Sequence, residues 1–144
     1  MDISDYVTIE DVRSACHDLG IGDWTGRTDT RVPPDEAEAI RQAVGAEALK
    51  VSLEAFQQGL EVELEHGMQY PDANVTNNHP ILTGRVVLAH LKEMLDYYAR
   101  LEVAELEGDL FKASRAGDAA KLARLYPRWL QARAKLSSWE TSGA

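Results

Sequence analysis

Residues 46–67 read AEALKVSLEAFQQGLEVELEHG, and this stretch decides the fold. Leu49, Leu53, Phe56, Leu60 and Glu63 recur at spacings of three and four, which is the period of a helix with one buried face. Gly67 supplies a stop. A second stretch of the same kind, residues 84–107, reads GRVVLAHLKEMLDYYARLEVAELE and opens after Thr83, a capping residue. Val87, His90, Leu91, Met94, Tyr97, Tyr98 and Leu101 form its expected buried side. The two stretches predict an antiparallel helix pair joined by a long loop, 68–83 (MQYPDANVTNNHPILT). A loop of that length in a compact domain is often functional.

The rest of the chain is helical in the same manner. Thr8, with Asp11 three residues on, marks the start of a first helix, and Gly20 its end. Residues 20–34 are rich in Gly and Pro and read as a loop pinned by Trp24. Pro33-Pro34-Asp35-Glu36 opens the next helix, which Gly45 breaks. Gly117-Asp118 divides the second long stretch from a last helix holding Leu122, Leu125, Trp129, Leu130 and Leu136. Pro127 should kink or restart that helix. Residues 137–144 read as a frayed tail. No period-2 strand is present in the pattern. The expectation is one all-α domain, 1–144, a bundle of about five helices.

Composition narrows the function. The net charge is −9 and the pI about 4.8, which opposes nucleic-acid binding. No apolar run approaches the ~20 residues of a membrane helix. The acidic N-terminus has no signal-peptide pattern. Cys16 is the single cysteine, which fits a reducing cytoplasm. Charge is uneven. Residues 1–108 hold 21 acids and 8 bases, a net −13, whereas residues 109–144 hold 3 acids and 7 bases, a net +4. The basic tail is apolar as well, and it is expected to cover its own body or join a homodimer.

Two short motifs mirror each other. Glu63-Leu-Glu-His66 is E-x-x-H, and His90-Leu-Lys-Glu93 is H-x-x-E. Each sets a carboxylate and an imidazole on one helix face. In an antiparallel pair the two His share one level and the two Glu the next. Glu63 also occupies a place in an apolar row, where an unpaired carboxylate costs several kcal/mol. Glu63, His66, His90 and Glu93 are therefore candidate ligands of a divalent transition metal, Zn, Fe or Mn. E-x-x-H is the spacing of di-iron bundles too, but the reversed second motif favours a single ion. A plain structural reading stands beside this one. Glu61, Glu63 and Glu65 form a solvated face, and His90 is a hydrogen-bonded core histidine. His79 is a further loop candidate, Cys16-His17 a weaker one, and Tyr70, Tyr97 and Tyr98 are candidate pocket walls. A non-catalytic interaction module is the alternative function. Phosphate loops, H-E-x-x-H and G-x-S-x-G are absent from the sequence.

The stretches GLEVELEHG (59–67), NVTNNHPILTGRVVLAHLKE (74–93) and DYYARLE (96–102) resemble an uncharacterised bacterial and phage domain family. TIEDVRSACHDLGI (8–21) is similar to that family's opening helix. The resemblance implies a helical domain and no particular reaction. Two departures stand out: Asn78-His79 where the family carries acids, and Met94-Leu95 where it carries an aromatic-proline pair.

Overall fold

A computed structural model describes residues 6–142, and within them the chain is all-α. Six helices are present: α1 (Ile9–Leu19), α2 (Pro34–Val44), α3 (Leu53–Gln69), α4 (Pro80–Glu93), α5 (Tyr97–Arg115) and α6 (Ala119–Ser142). Short 3-10 turns lie at Trp24–Gly26, Ala48–Lys50 and Pro71–Ala73. The chain divides into two compact units, Met1–Glu93 and Met94–Ala144.

In the first unit, local chemistry sets each boundary. Thr8 accepts a hydrogen bond from the Asp11 backbone N–H, and its own N–H donates to the Asp11 carboxylate. This reciprocal cap starts α1, and Gly20 in the left-handed region ends it. The loop that follows is held by Glu36 of α2. Its carboxylate accepts from the Gly22 N–H at 2.9 Å, from Trp24 Nε1 at 3.2 Å and from Arg27 Nη2 at 2.6 Å. Trp24 is fully buried, as its expected pinning role requires.

The helix expected from Ala46 begins later. Ser52 caps α3 by accepting from the Ala55 N–H, and the backbone at Val51 and Ser52 is extended. The Arg41 guanidinium donates to the Val51 carbonyl at 2.6 Å and holds that extension. Leu49 falls before the helix and is exposed. The buried side of α3 is Ala55, Phe56, Gly59, Leu60, Leu64 and Gly67. Against it and α2 packs α4, through Pro80, Thr83, Gly84, Val87 and Leu91. Gly84 is needed there. A Cβ at this position would lie 2.8 Å from Val44 and 2.9 Å from Ile40.

The second long helix, expected over 84–107, is two helices. It starts early, at Pro80, and α4 stops at Glu93. A turn at Met94–Asp96 intervenes, and α5 begins at Tyr97. Met94 and Leu95 are exposed, so the expected continuous buried side is interrupted. No Gly or Pro marks this break. Packing of the two halves in different units overrides ordinary helix propensity.

The second unit is a helical hairpin. Arg100 contacts Glu140, and Glu107 accepts from Trp129 Nε1, so the helices run antiparallel. Ala99, Val103, Leu106, Leu125, Ala132 and Leu136 form its core, with Leu110, Trp129 and Trp139 packed on it. Spacings of three and four along both helices make this a coiled-coil-like seam. α6 runs through Pro127 and on to Ser142, so residues 137–142 are helical where a frayed tail is expected. Residues 143 and 144 lie outside the described residues.

Candidate functional site

The site grows from the loop between α3 and α4. Residues 70–79 replace the expected 68–83, because α3 persists to Gln69 and α4 begins at Pro80. Asparagines shape this loop. Asn74 Oδ1 accepts from the backbone N–H and hydroxyl of Thr76. Asn74 Nδ2 donates to the Gly67 carbonyl and to Asn78 Oδ1. Asn77 and Asn78 both have positive φ, a conformation that asparagine tolerates better than most residues. The Asn77 amide donates to the Val7 carbonyl at 2.8 Å. The hydroxyl of buried Thr83 meets that of Thr76, which joins the loop to α4.

This framework forms one wall of a cleft of about 160 Å³. The lining includes Glu63, His66 and Gly67 of α3, Tyr70, Asn74 and Thr76 of the loop, and Val86 of α4. Glu63 is the centre of its polar side. Its Oε1 lies 3.2 Å from His90 Nδ1, and its Oε2 lies 3.9 Å from His66 Nδ1. The Glu63 side chain is 16% exposed, that of His90 31% and that of His66 42%. One carboxylate thus stands within 4 Å of two imidazoles, mostly withdrawn from water.

The expected layering is shifted. His90 faces Glu63 rather than standing level with His66, and Glu93 is exposed at the last position of α4. Among the described residues, no three His, Cys, Asp or Glu side chains are grouped as a metal ion requires. Glu61 does not belong to a purely solvated face, because its carboxylate accepts from the Val32 N–H at 3.0 Å.

The other candidates lie elsewhere. His79 lines a separate groove of about 320 Å³ with Asp11, Asp18, Leu19 and Ile81. Burial holds the His79 imidazole below its ordinary pKa, against a smaller opposing pull from Asp11. Cys16 is buried, and that burial pushes its thiol pKa up, the opposite of an activated nucleophile. His17 is exposed beside Asp18. Tyr70 lines the cleft. Tyr97 and Tyr98 belong to the second unit, where their rings meet edge to face at 5.1 Å. Asn74 and Thr76 are cleft residues that helical periodicity does not reveal. The signal for them was the density of Asn and Thr in the loop, which favours side-chain-to-backbone turns.

Residues 12–107 match the family described as "Protein of unknown function (DUF5661)". The chain belongs to the DUF5661 family. No curated protein and no solved structure matches it. The DUF5661 match runs from α1 into α5, so it contains α3, the asparagine loop and α4, and with them every residue of the cleft. Helix α6 lies beyond the matched residues.

Proposed function

We propose that this domain binds a divalent transition metal, Zn, Fe or Mn, at the cleft between α3, the asparagine loop and α4, with Glu63, His66 and His90 as ligands. The observation that carries the reading is the Glu63 carboxylate, set 3.2 Å and 3.9 Å from two imidazole nitrogens beside an open cleft. Donors bound to one ion at ~2.1 Å in tetrahedral geometry stand about 3.4 Å apart, so the Glu63–His90 separation is near what shared coordination demands, and the Glu63–His66 separation is wider. The three side chains are not grouped as a bound ion requires, so binding would have to draw the His66 and His90 rings in toward Glu63. Glu93 or water would complete the set. Nitrogen and carboxylate donors suit these ions, and a retained water would be acidified for hydrolytic or oxygen chemistry. Bacterial or phage origin and residence in the cytoplasm belong to the same reading. The lone, buried Cys16 supports the compartment.

The test is metal analysis of the purified chain after dialysis, and titration with Zn, Fe(II) and Mn(II), against Glu63→Leu and His90→Ala. The expected result is one ion per chain, lost in both variants, with a lower melting temperature for Glu63→Leu. A Glu63→Leu chain that melts higher with unchanged metal content would exclude Glu63 as a ligand, since removing an uncompensated charge is commonly stabilising.

A second reading is a non-catalytic interaction module. The exposed side chains of Tyr70 and Val75, both lining the cleft, favour it. Binding of a protein partner that Val75→Asp abolishes and metal removal leaves intact would select it.

A further inference from the structure

The α5–α6 hairpin carries two apolar stripes on each helix, and its own core uses one. The core stripes hold the six buried residues from Ala99 to Leu136. A second pair repeats the spacing of three and four. It runs through Leu101, Ala104, Gly108 and Phe111 on α5, and through Ala123, Tyr126 and Leu130 on α6. Ala104, Phe111, Ala123, Tyr126 and Leu130 are exposed, and Leu101 and Gly108 are half-buried. Phe111 is 63% exposed, Tyr126 53% and Leu130 48%. At Gly108 nothing lies within 4 Å of where a Cβ would stand. A helix with apolar rows on two sides is suited to the interior of a bundle, and two helices alone cover only one of those rows. Two hairpins packed together cover both, as a four-helix bundle.

Charge selects what covers them. Helix α5 holds four acids, Glu102, Glu105, Glu107 and Asp109, all within residues 102–109, and three bases outside that stretch, Arg100, Lys112 and Arg115. Helix α6 holds five bases and one acid. A second α6 laid on the first would bring base to base. Laid on the acidic 102–109 stretch of α5, it brings opposite signs together, and a two-fold axis uses that contact twice. We propose that two copies of this chain pair through their hairpins into an antiparallel four-helix bundle, with α6 of each lying on α5 of the other. The pairing does not rest on the cleft or on any metal. It uses exposed apolar side chains for affinity and the acidic and basic flanks for register.

Sedimentation equilibrium of the full chain tests this over a wide concentration range, at low and at high salt. The expected result is a monomer–dimer equilibrium that weakens as salt rises. The double variant Y126E/L130E should weaken it at least ~tenfold while its helical circular dichroism is kept. R124E/R128E/R133E should also lose self-association, and mixing it with E102K/E105K/D109K should give a heterodimer. A chain that is monomeric at every concentration in low salt overturns the proposal. So does a dimer that Y126E/L130E leaves intact, or charge-reversed partners that show no preference for each other.

Discussion

Gly67 sits where the loop leaves no room for a methyl group. A Cβ there would stand 2.3 Å from Asn78 Oδ1 and 2.8 Å from Asn74 Nδ2. Both amides are held by other hydrogen bonds, so neither can yield freely. Gly67→Ala should cost about 1–3 kcal/mol, as overpacking does, and lower the urea midpoint. Addition of Asn78→Ala should return part of that loss, and an unchanged midpoint in the single variant would show that the loop is not packed on α3 as described. His79 gives a prediction with a sign. Its folded pKa lies below the ordinary value, so the unfolded chain takes up a proton first as pH falls. Its contribution to stability is whole above the unfolded pKa of about 6.5 and is lost as pH falls toward the folded one. Urea midpoints of the native chain and His79→Gln, compared from about pH 7 to 5, should converge toward the acid end. Parallel curves would remove His79 from the account. At this scale the sequence was only partly legible. Glu63 stands out in the sequence as a carboxylate on an apolar row, and in the structure two imidazoles stand beside it. That Glu63 rather than His66 meets His90 depends on how α4 lies across α3, which residue spacing within one helix does not encode.

Helix starts and stops are readable at several boundaries that a side chain or a glycine makes, but not at Ser52, which caps α3. Gly67 and Thr83, read as a stop and a cap, lie inside α3 and α4. Thr8 with Asp11, Gly20, Gly45 and Gly117 all act at the boundaries they suggest. Boundaries made by packing were hidden. The break at 94–96 contains Met, Leu and Asp, and the late start of α3 depends on an arginine ten residues before Val51. Pro127 shows the converse, a strong local signal that its surroundings outweigh. It lies inside α6, where it has no N–H to give the preceding turn. Pro127→Ala should therefore raise the melting temperature, by the equivalent of up to ~3 kcal/mol if the helix is otherwise unchanged. A lower melting temperature would mean that the proline is required by the packing of the hairpin.

Across the whole molecule, the two compact units differ in composition. The first carries 17 acids and 7 bases, and the second carries 7 and 8. They meet in sequence at Met94–Asp96, which is non-helical and has Met94 and Leu95 exposed. Brief chymotrypsin treatment should cut there early, leaving fragments whose masses end near residues 94–98. First cleavage within α3 or α6 would contradict the division. Periodicity read both units as helical but gave no sign of the division, because an apolar row shows that a face is buried and not what buries it. The tie from Asn77 to the Val7 carbonyl has a consequence in time. It joins residues seventy positions apart, and closing so long a stretch of chain costs entropy before any contact rewards it. The α5–α6 hairpin turns on three residues and pays almost none of that cost. During refolding the hairpin should reach its native helicity first, and the asparagine loop, with the cleft it walls, should be among the last parts of the chain to set.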